Sequence, residues 1–222
     1  MRRRRRLRRF VVLVLAVVLL AYLAWLVGAS RTFGVRQIEV EGISLVSSDD
    51  VIAAAGITIG EPLVRVSQSA VNANVTGNIL EVASVKVSRY LSGAVVLHVT
   101  ERTAVYQVAV GDMFGMVSSD GTVFHLGAKV DGLMTCQVVI GNPELLEDIA
   151  TVVLALPTDL VLHVQYVAAA TEDSIRLQLD AGREVIWGSA EQSDLKATVL
   201  TALLAVPGHV YDVSAPASPS VK

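Results

Sequence analysis

Four histidines and one cysteine are the residues of this 222-residue chain best suited to chemistry, and their placement works against it. His98, His125, His163 and His209 are scattered, with no two of them four positions apart and no HExxH pair to make a helical metal site. His98 and His163 fall within apolar runs, which predicts structural roles. Cys136 is the single thiol, so no intrachain disulfide can form, and it reads as a small buried apolar residue rather than a nucleophile. Neither a glycine-rich phosphate loop nor a G-x-S-x-G turn is present. Asp120-Gly121 reads as a hairpin turn rather than a catalytic aspartate. "NVT" (74–76) is formally a glycosylation sequon, but it falls in a predicted helix. The expectation is a chain with no catalytic residue, no metal site and no cofactor.

Charge distribution says more. Arg2 to Arg6, Arg8 and Arg9 put seven of the 18 basic residues before Phe10. The remaining eleven face all 21 acidic residues, so residues 10–222 carry a balance of −10. A nucleic-acid binder spreads positive charge over its folded surface, and this acidic body argues against that class. The arginines are followed by "FVVLVLAVVLLAYLAWLVGAS" (10–30), which carries no charge. About 20 helical residues cross the roughly 30 Å of bilayer hydrocarbon. Tyr22 and Trp25 fall near its far end, where amphipathic rings favour the interface. The run is longer than the apolar core of a cleaved signal, so it reads as a retained transmembrane helix. The positive-inside rule then puts the basic foot (1–9) in the cytoplasm, beside anionic membrane lipid, and everything after Arg31 outside.

The exported part predicts two α+β domains. In the first (34–102), "VRQIEVEG" (35–42) alternates as a strand, and "SSDDVIAAAG" (47–56) is a short helix capped by Ser47 or Ser48 and closed by Gly56. "SQSAVNANVTGNIL" (67–80) is a second helix, and "VASVKVSRY" (82–90) and "AVVLHVTER" (94–102) form a hairpin. The order is β-α-α-β-β. The second domain (103–216) is mainly antiparallel β with two helices. It opens with a strand at 103–110 and a hairpin turning at Asp120-Gly121. A helix at 142–156 has Asn142 as N-cap and Pro143 at its first position. A meander over 161–188 follows, then a helix at 190–206 with Leu195, Val199, Ala202, Leu203 and Val206 on one side. A last strand at 208–216 ends at Pro216, and residues 217–222 are expected to be a mobile tail.

This arrangement resembles the FtsQ/DivIB family, bitopic cell-division proteins with an extracytoplasmic POTRA domain and a β domain. The resemblance runs from Arg2 to about Pro219. It rests on "VRQIEVEG" and "VTER" at the ends of the first domain, then "VSSDGTVF" (117–124), "LDAGREVIWGS" (179–189), "LKATVLTALL" (195–204) and "YDVSAP" (211–216), in that order. Three positions depart from the family's habit: Leu80-Glu81 for Leu-Pro, Tyr90-Leu91-Ser92-Gly93 for a Trp-Pro turn, and Thr103-Ala104 where proline is common after Glu-Arg. The resemblance implies a non-catalytic scaffold at the division septum. Its partners would be FtsB-like and FtsL-like single-span proteins and, through them, the septal peptidoglycan synthase. A membrane-anchored enzyme acting on the cell wall is the rival reading. A POTRA-bearing outer-membrane assembly factor would need a long alternating barrel segment, for which 222 residues leave no room.

The partner site is expected at the last strand, His209, Val210, Tyr211, Asp212, Val213 and Ser214. The last strand of an open sheet offers an unpaired row of backbone groups. Its alternation puts one parity toward the core, and Tyr211 is a candidate aromatic anchor. That the strand merely closes the sheet stays open as the alternative.

Overall fold

The structure, a computed structural model, describes residues 11–22 and 34–222. The basic foot expected at 1–9, and residues 10 and 23–30 of the expected span, lie outside them. Residues 11–22 are helical with exposed apolar side chains. Twelve residues rise about 18 Å, and no described helix is long and apolar enough to cross a membrane. The chain divides into two compact units, Met1–Glu101 and Arg102–Lys222.

The first unit contains β1 (Gln37–Glu41), α1 (Ser48–Ala55), α2 (Gln68–Asn78), β2 (Val82–Arg89) and β3 (Ala94–Glu101), the β-α-α-β-β order read from sequence. Its sheet runs β1-β3-β2, with β1 parallel and β2 antiparallel to the central β3. The local signals explain the boundaries. The Ser47 hydroxyl accepts from the Asp49 N–H, and Gly56 closes α1 at φ 68°. Both helices press Val51, Ala55, Val71 and Val75 against Val85, Val95, Leu97 and Val99 of the sheet.

Glu101, the last residue of β3, holds the β1–α1 loop. Its carboxylate accepts from the N–H groups of Ser44 (2.8 Å), Leu45 (2.8 Å) and Val46 (3.1 Å) and from the Ser44 hydroxyl (2.7 Å). Burial works to raise its pKa, but these four donors outweigh it and hold the group at about 2.

The second unit contains β4 (Tyr106–Val110), β5 (Met113–Val117), β6 (Val123–Gly127), β7 (Met134–Gln137), α3 (Pro143–Ala155), α4 (Thr158–Val161), β8 (Val164–Ala168), β9 (Ile175–Leu179), β10 (Glu184–Gly188), α5 (Ser193–Leu203), β11 (Val210–Asp212) and β12 (Ser220–Val221). They build one nine-stranded sheet in the order β12-β11-β10-β9-β8-β7-β4-β5-β6. The sheet is mixed: β4–β7, β7–β8 and β10–β11 are parallel and the other pairs antiparallel. α3 contributes Leu145, Leu146, Ile149, Val152 and Val153 to a core that also buries Trp187, Tyr211 and Cys136. Asn142 caps α3 by accepting from Glu144 and Leu145 N–H, as its sequence predicts. Gly121 is required by proximity as well as by its φ of 71°: a Cβ there would stand 2.7 Å from both the Glu147 nitrogen and the Pro143 oxygen of α3.

Three expectations are corrected. Residues 217–222 contain a strand, β12, held by nonlocal pairing rather than by its own Ser- and Pro-rich composition. The chain at 158–161 is one helical turn, so the strand expected from 161 begins at Val164. Of the expected face of α5, Val199 and Leu203 pack half-buried against the core, but Leu195, Ala202 and Val206 are exposed, and the fully buried positions are Ser193, Lys196, Ala197 and Leu200. Lys196 rotates the face because its ammonium donates to the Ser189 carbonyl at 2.8 Å, which lets a long aliphatic stem be buried.

Replacing Glu101 by Gln should cost about 1–2 kcal/mol, since charge-assisted bonds are weakened at a partly exposed site. A depressed folded pKa means the stabilisation is present above the ordinary carboxylate value of about 4.5 and fades as pH falls towards 2. The protection factors of the Ser44, Leu45 and Val46 amides, each rate taken against its intrinsic rate at the same pH, should therefore fall over that acid range in the parent chain. In Glu101→Gln they should be low throughout and show no such titration.

Candidate partner-binding edge

The predicted site residues come together at one end of the second sheet, but not as an open edge. β11 pairs in parallel with β10 through Glu184↔Val210, Val185↔Tyr211 and Ile186↔Asp212. On its other side it pairs with β12 through Tyr211↔Val221 and Asp212↔Ser220. The Val210 N–H donates to the Lys222 carbonyl at 3.0 Å and the Lys222 N–H to the Val210 carbonyl at 2.9 Å. β11 is thus an interior strand, and β12 is the edge.

The alternation expected in 209–214 is present. Tyr211 is 2% exposed and Val213 is fully buried, whereas His209 and Ser214 are exposed and Val210 and Asp212 are intermediate. Tyr211 is therefore a core residue, not an aromatic anchor for a partner. Its hydroxyl lies 2.9 Å from the Val206 carbonyl and 3.1 Å from that of Gly208, which ties the α5–β11 connection to the core. The Val213 N–H donates to the Ile186 carbonyl at 3.0 Å, so it faces β10 and not the outside. Asp212 accepts from both the N–H (3.0 Å) and hydroxyl (2.7 Å) of Ser214, which starts the turn back to β12.

The register decides what β12 offers. Val210 and Lys222 exchange both backbone bonds, so the adjacent pair, Tyr211 and Val221, is the non-bonded pair of an antiparallel ladder. The N–H and C=O of Val221 therefore point away from β11, along the open edge. Sequence reasoning missed this residue, since a two-residue strand has no pattern of its own.

The corresponding edge of the first unit is covered. β2 is an edge strand, yet the Val85 N–H donates to Asn72 Oδ1 (2.8 Å) and the Val87 N–H to Gln68 Oε1 (2.6 Å). Gln68 Nε2 in turn donates to the Val85 carbonyl (2.7 Å). Amide side chains of α2 thus take the places that an added strand would occupy.

One cluster invites an enzymatic reading. Ser88 Oγ is 3.0 Å from His98 Nε2, and His98 Nδ1 is 3.0 Å from Glu41 Oε2. The order of groups is that of a nucleophile, a base and an orienting carboxylate. The setting differs: the three residues sit on neighbouring strands of one sheet, with the His98 and Glu41 side chains 42% and 59% exposed. Ser88 lies in regular strand, not at a sharp turn that would lift its hydroxyl toward a substrate. This is a cross-strand polar ladder. His163, expected to be structural, pairs with Asp180 at 2.6 Å on the surface, and the neighbouring Thr201 hydroxyl is committed to the Ala197 carbonyl. Cys136 is 1% exposed, and burial pushes its thiol pKa up, away from the reactive thiolate. Among the described residues no group of three or more His, Cys, Asp or Glu is placed to hold a metal.

A β-α-α-β-β unit followed by a mixed sheet is the architecture of a POTRA-type domain joined to a β domain, and the comparisons agree. Residues 33–102 match the family described as POTRA domain, FtsQ-type, and residues 104–213 match Cell division protein FtsQ/DivIB, C-terminal. The chain is 35% identical to Cell division protein FtsQ of Mycobacterium leprae over 85% of its own length, and that match spans 55% of the relative. It is 34% identical to Cell division protein FtsQ of Streptomyces collinus, over 97% of this chain and 88% of that one. With that of Corynebacterium glutamicum the identity is 28% over 95% of both. The chain belongs to the FtsQ/DivIB family of cell-division proteins.

Gly208 should be needed for the return of β12, because a Cβ there would stand 2.3 Å from Val221 Cγ1 and 3.2 Å from the Lys222 carbonyl. Gly208→Ala is expected to loosen β12 without unfolding the unit. Amide exchange at Lys222 should quicken by about tenfold, corresponding to about 1.4 kcal/mol, while that of Val185 stays slow.

Proposed function

We propose that this chain is a non-catalytic scaffold of the division machinery. In this reading, residues 10–30 anchor it with the basic foot in the cytoplasm and both units outside, at the septum. The second unit holds FtsB-like and FtsL-like single-span proteins and, through them, the septal peptidoglycan synthase. The partner adds a strand to β12, so the site shifts from an edge at 209–214 to the edge that β12 forms beside those residues.

The observation that carries this is the outward-facing N–H and C=O of Val221 on a strand with no neighbour beyond it among the described residues. Strand addition gains main-chain hydrogen bonds there, and the covered edge of β2 favours β12 over that strand. The enzymatic rival has the Ser88–His98–Glu41 ladder as its best candidate, and the flat, exposed setting weighs against it.

Val221→Pro removes the outward donor but leaves the Val210–Lys222 bonds in place. It should weaken capture of the single-span partners by about tenfold or more while the chain still folds, read by pull-down from membranes and by circular dichroism. Ser88→Ala should leave division unaffected in complemented cells. Capture that is unchanged in Val221→Pro, or loss of division in Ser88→Ala with a folded protein, would count against the scaffold and its edge.

A further inference from the structure

At one end of the first unit, the segments that meet are 34–36, 58–66 and the β2–β3 turn. Gly34 bridges to Pro62, the Val35 N–H donates to the Glu61 carbonyl (2.8 Å), and the Arg36 N–H donates to the Gly93 carbonyl (2.7 Å). The Arg89 guanidinium donates to the Val66 carbonyl at 2.8 Å. Four large apolar side chains are exposed at this end: Ile59 (60%), Val64 (65%), Tyr90 (51%) and Leu91 (84%). Arg36, Arg65 and Arg89, the three arginines of residues 34–101, are also here and exposed, with Glu61 as the one acid. Asp49, Asp50, Glu81 and Glu101 lie at the opposite end, where α1 begins and β3 finishes.

The unit's charge is thus polarised: cationic, beside these four exposed apolar side chains, at the end near Gly34, and acidic at the end where β3 finishes, where Leu45 and Leu80 are the exposed large apolar residues. Clustered apolar side chains rimmed by cations mark a contact surface rather than ordinary scatter. Their chemistry suits a phospholipid surface, with Tyr and Leu entering the interface and guanidinium groups meeting phosphates. Reach supports the same occupant. Gly34 is four steps past Ser30, the last residue of the anchor, and four residues extend at most about 14 Å. The headgroup layer of a leaflet is itself roughly 5–8 Å thick. We propose that this end of the first unit docks on the extracytoplasmic headgroup layer of the membrane that holds the anchor, which fixes the unit's tilt against the bilayer. The proposal rests on the anchored reading given above.

The test uses the full chain in nanodiscs of phosphatidylglycerol doped with spin-labelled lipid, one copy per disc, so that neither a partner nor a second copy can cover the patch. Cys136 is buried, so a single added thiol takes a fluorescent label. Labels at Leu91→Cys and Ile59→Cys should be quenched several-fold more than one at Leu45→Cys, an exposed residue of the opposite end. Arg36→Glu with Arg65→Glu should abolish most of that difference. A label at Val17→Cys reports the anchor separately. Strong quenching at 17 with positions 91 and 59 no more quenched than 45, or quenching at 91 untouched by the charge reversal, overturns the docking while leaving the anchor. No quenching at 17 or at 91 overturns both.

Discussion

The reciprocal backbone bonds between Val210 and Lys222 decide which strand forms this edge of the second unit's sheet. Without them β11 would be the sheet's last strand, and its outer N–H and C=O groups would form the edge. With them, β11 becomes interior, Tyr211 and Val213 are locked beneath it, and Val221 presents the free groups instead. The rest of that end follows from keeping the tail in place. Gly208 lacks the atoms that would collide with it, Asp212 shapes the turn toward it, and Tyr211 holds the approach to β11 by its hydroxyl.

The two units treat their edges differently, and the difference is chemical rather than topological. β2 of the first unit is as peripheral as β12, yet Asn72 and Gln68 of α2 occupy its donors and acceptor. A covered edge resists unwanted pairing, and an edge of two residues limits it by length. Glu101 shows the same economy in the first unit, satisfying three loop amides with one carboxylate.

Local signals in the sequence predict the local structure well. Ser47, Asn142-Pro143, Gly56 and Asp120-Gly121 each mark a cap or turn because the relevant atoms lie within a few residues of one another. What was not legible depends on distant partners. β12 forms from "SV" between Pro219 and Lys222, a stretch whose composition reads as unstructured, because β11 supplies its hydrogen bonds. The buried face of α5 turns on Lys196, which a hydrophobic stripe excludes and the Ser189 carbonyl admits. At 209–214 the alternation was readable. The sidedness was not: Tyr211 faces inward because the strands on both sides of β11 place it there.

The central claim is that a partner of this cell-division protein pairs with β12, and amide exchange at single-residue resolution reads it most directly. On adding the extracytoplasmic segment of a single-span FtsB-like partner to the isotope-labelled chain, the Val221 amide should become strongly protected. The Val210 and Tyr211 amides, already within the ladder, should change little. Binding that leaves Val221 exchanging at its free rate, or that protects the opposite edge at β6 instead, would contradict the account.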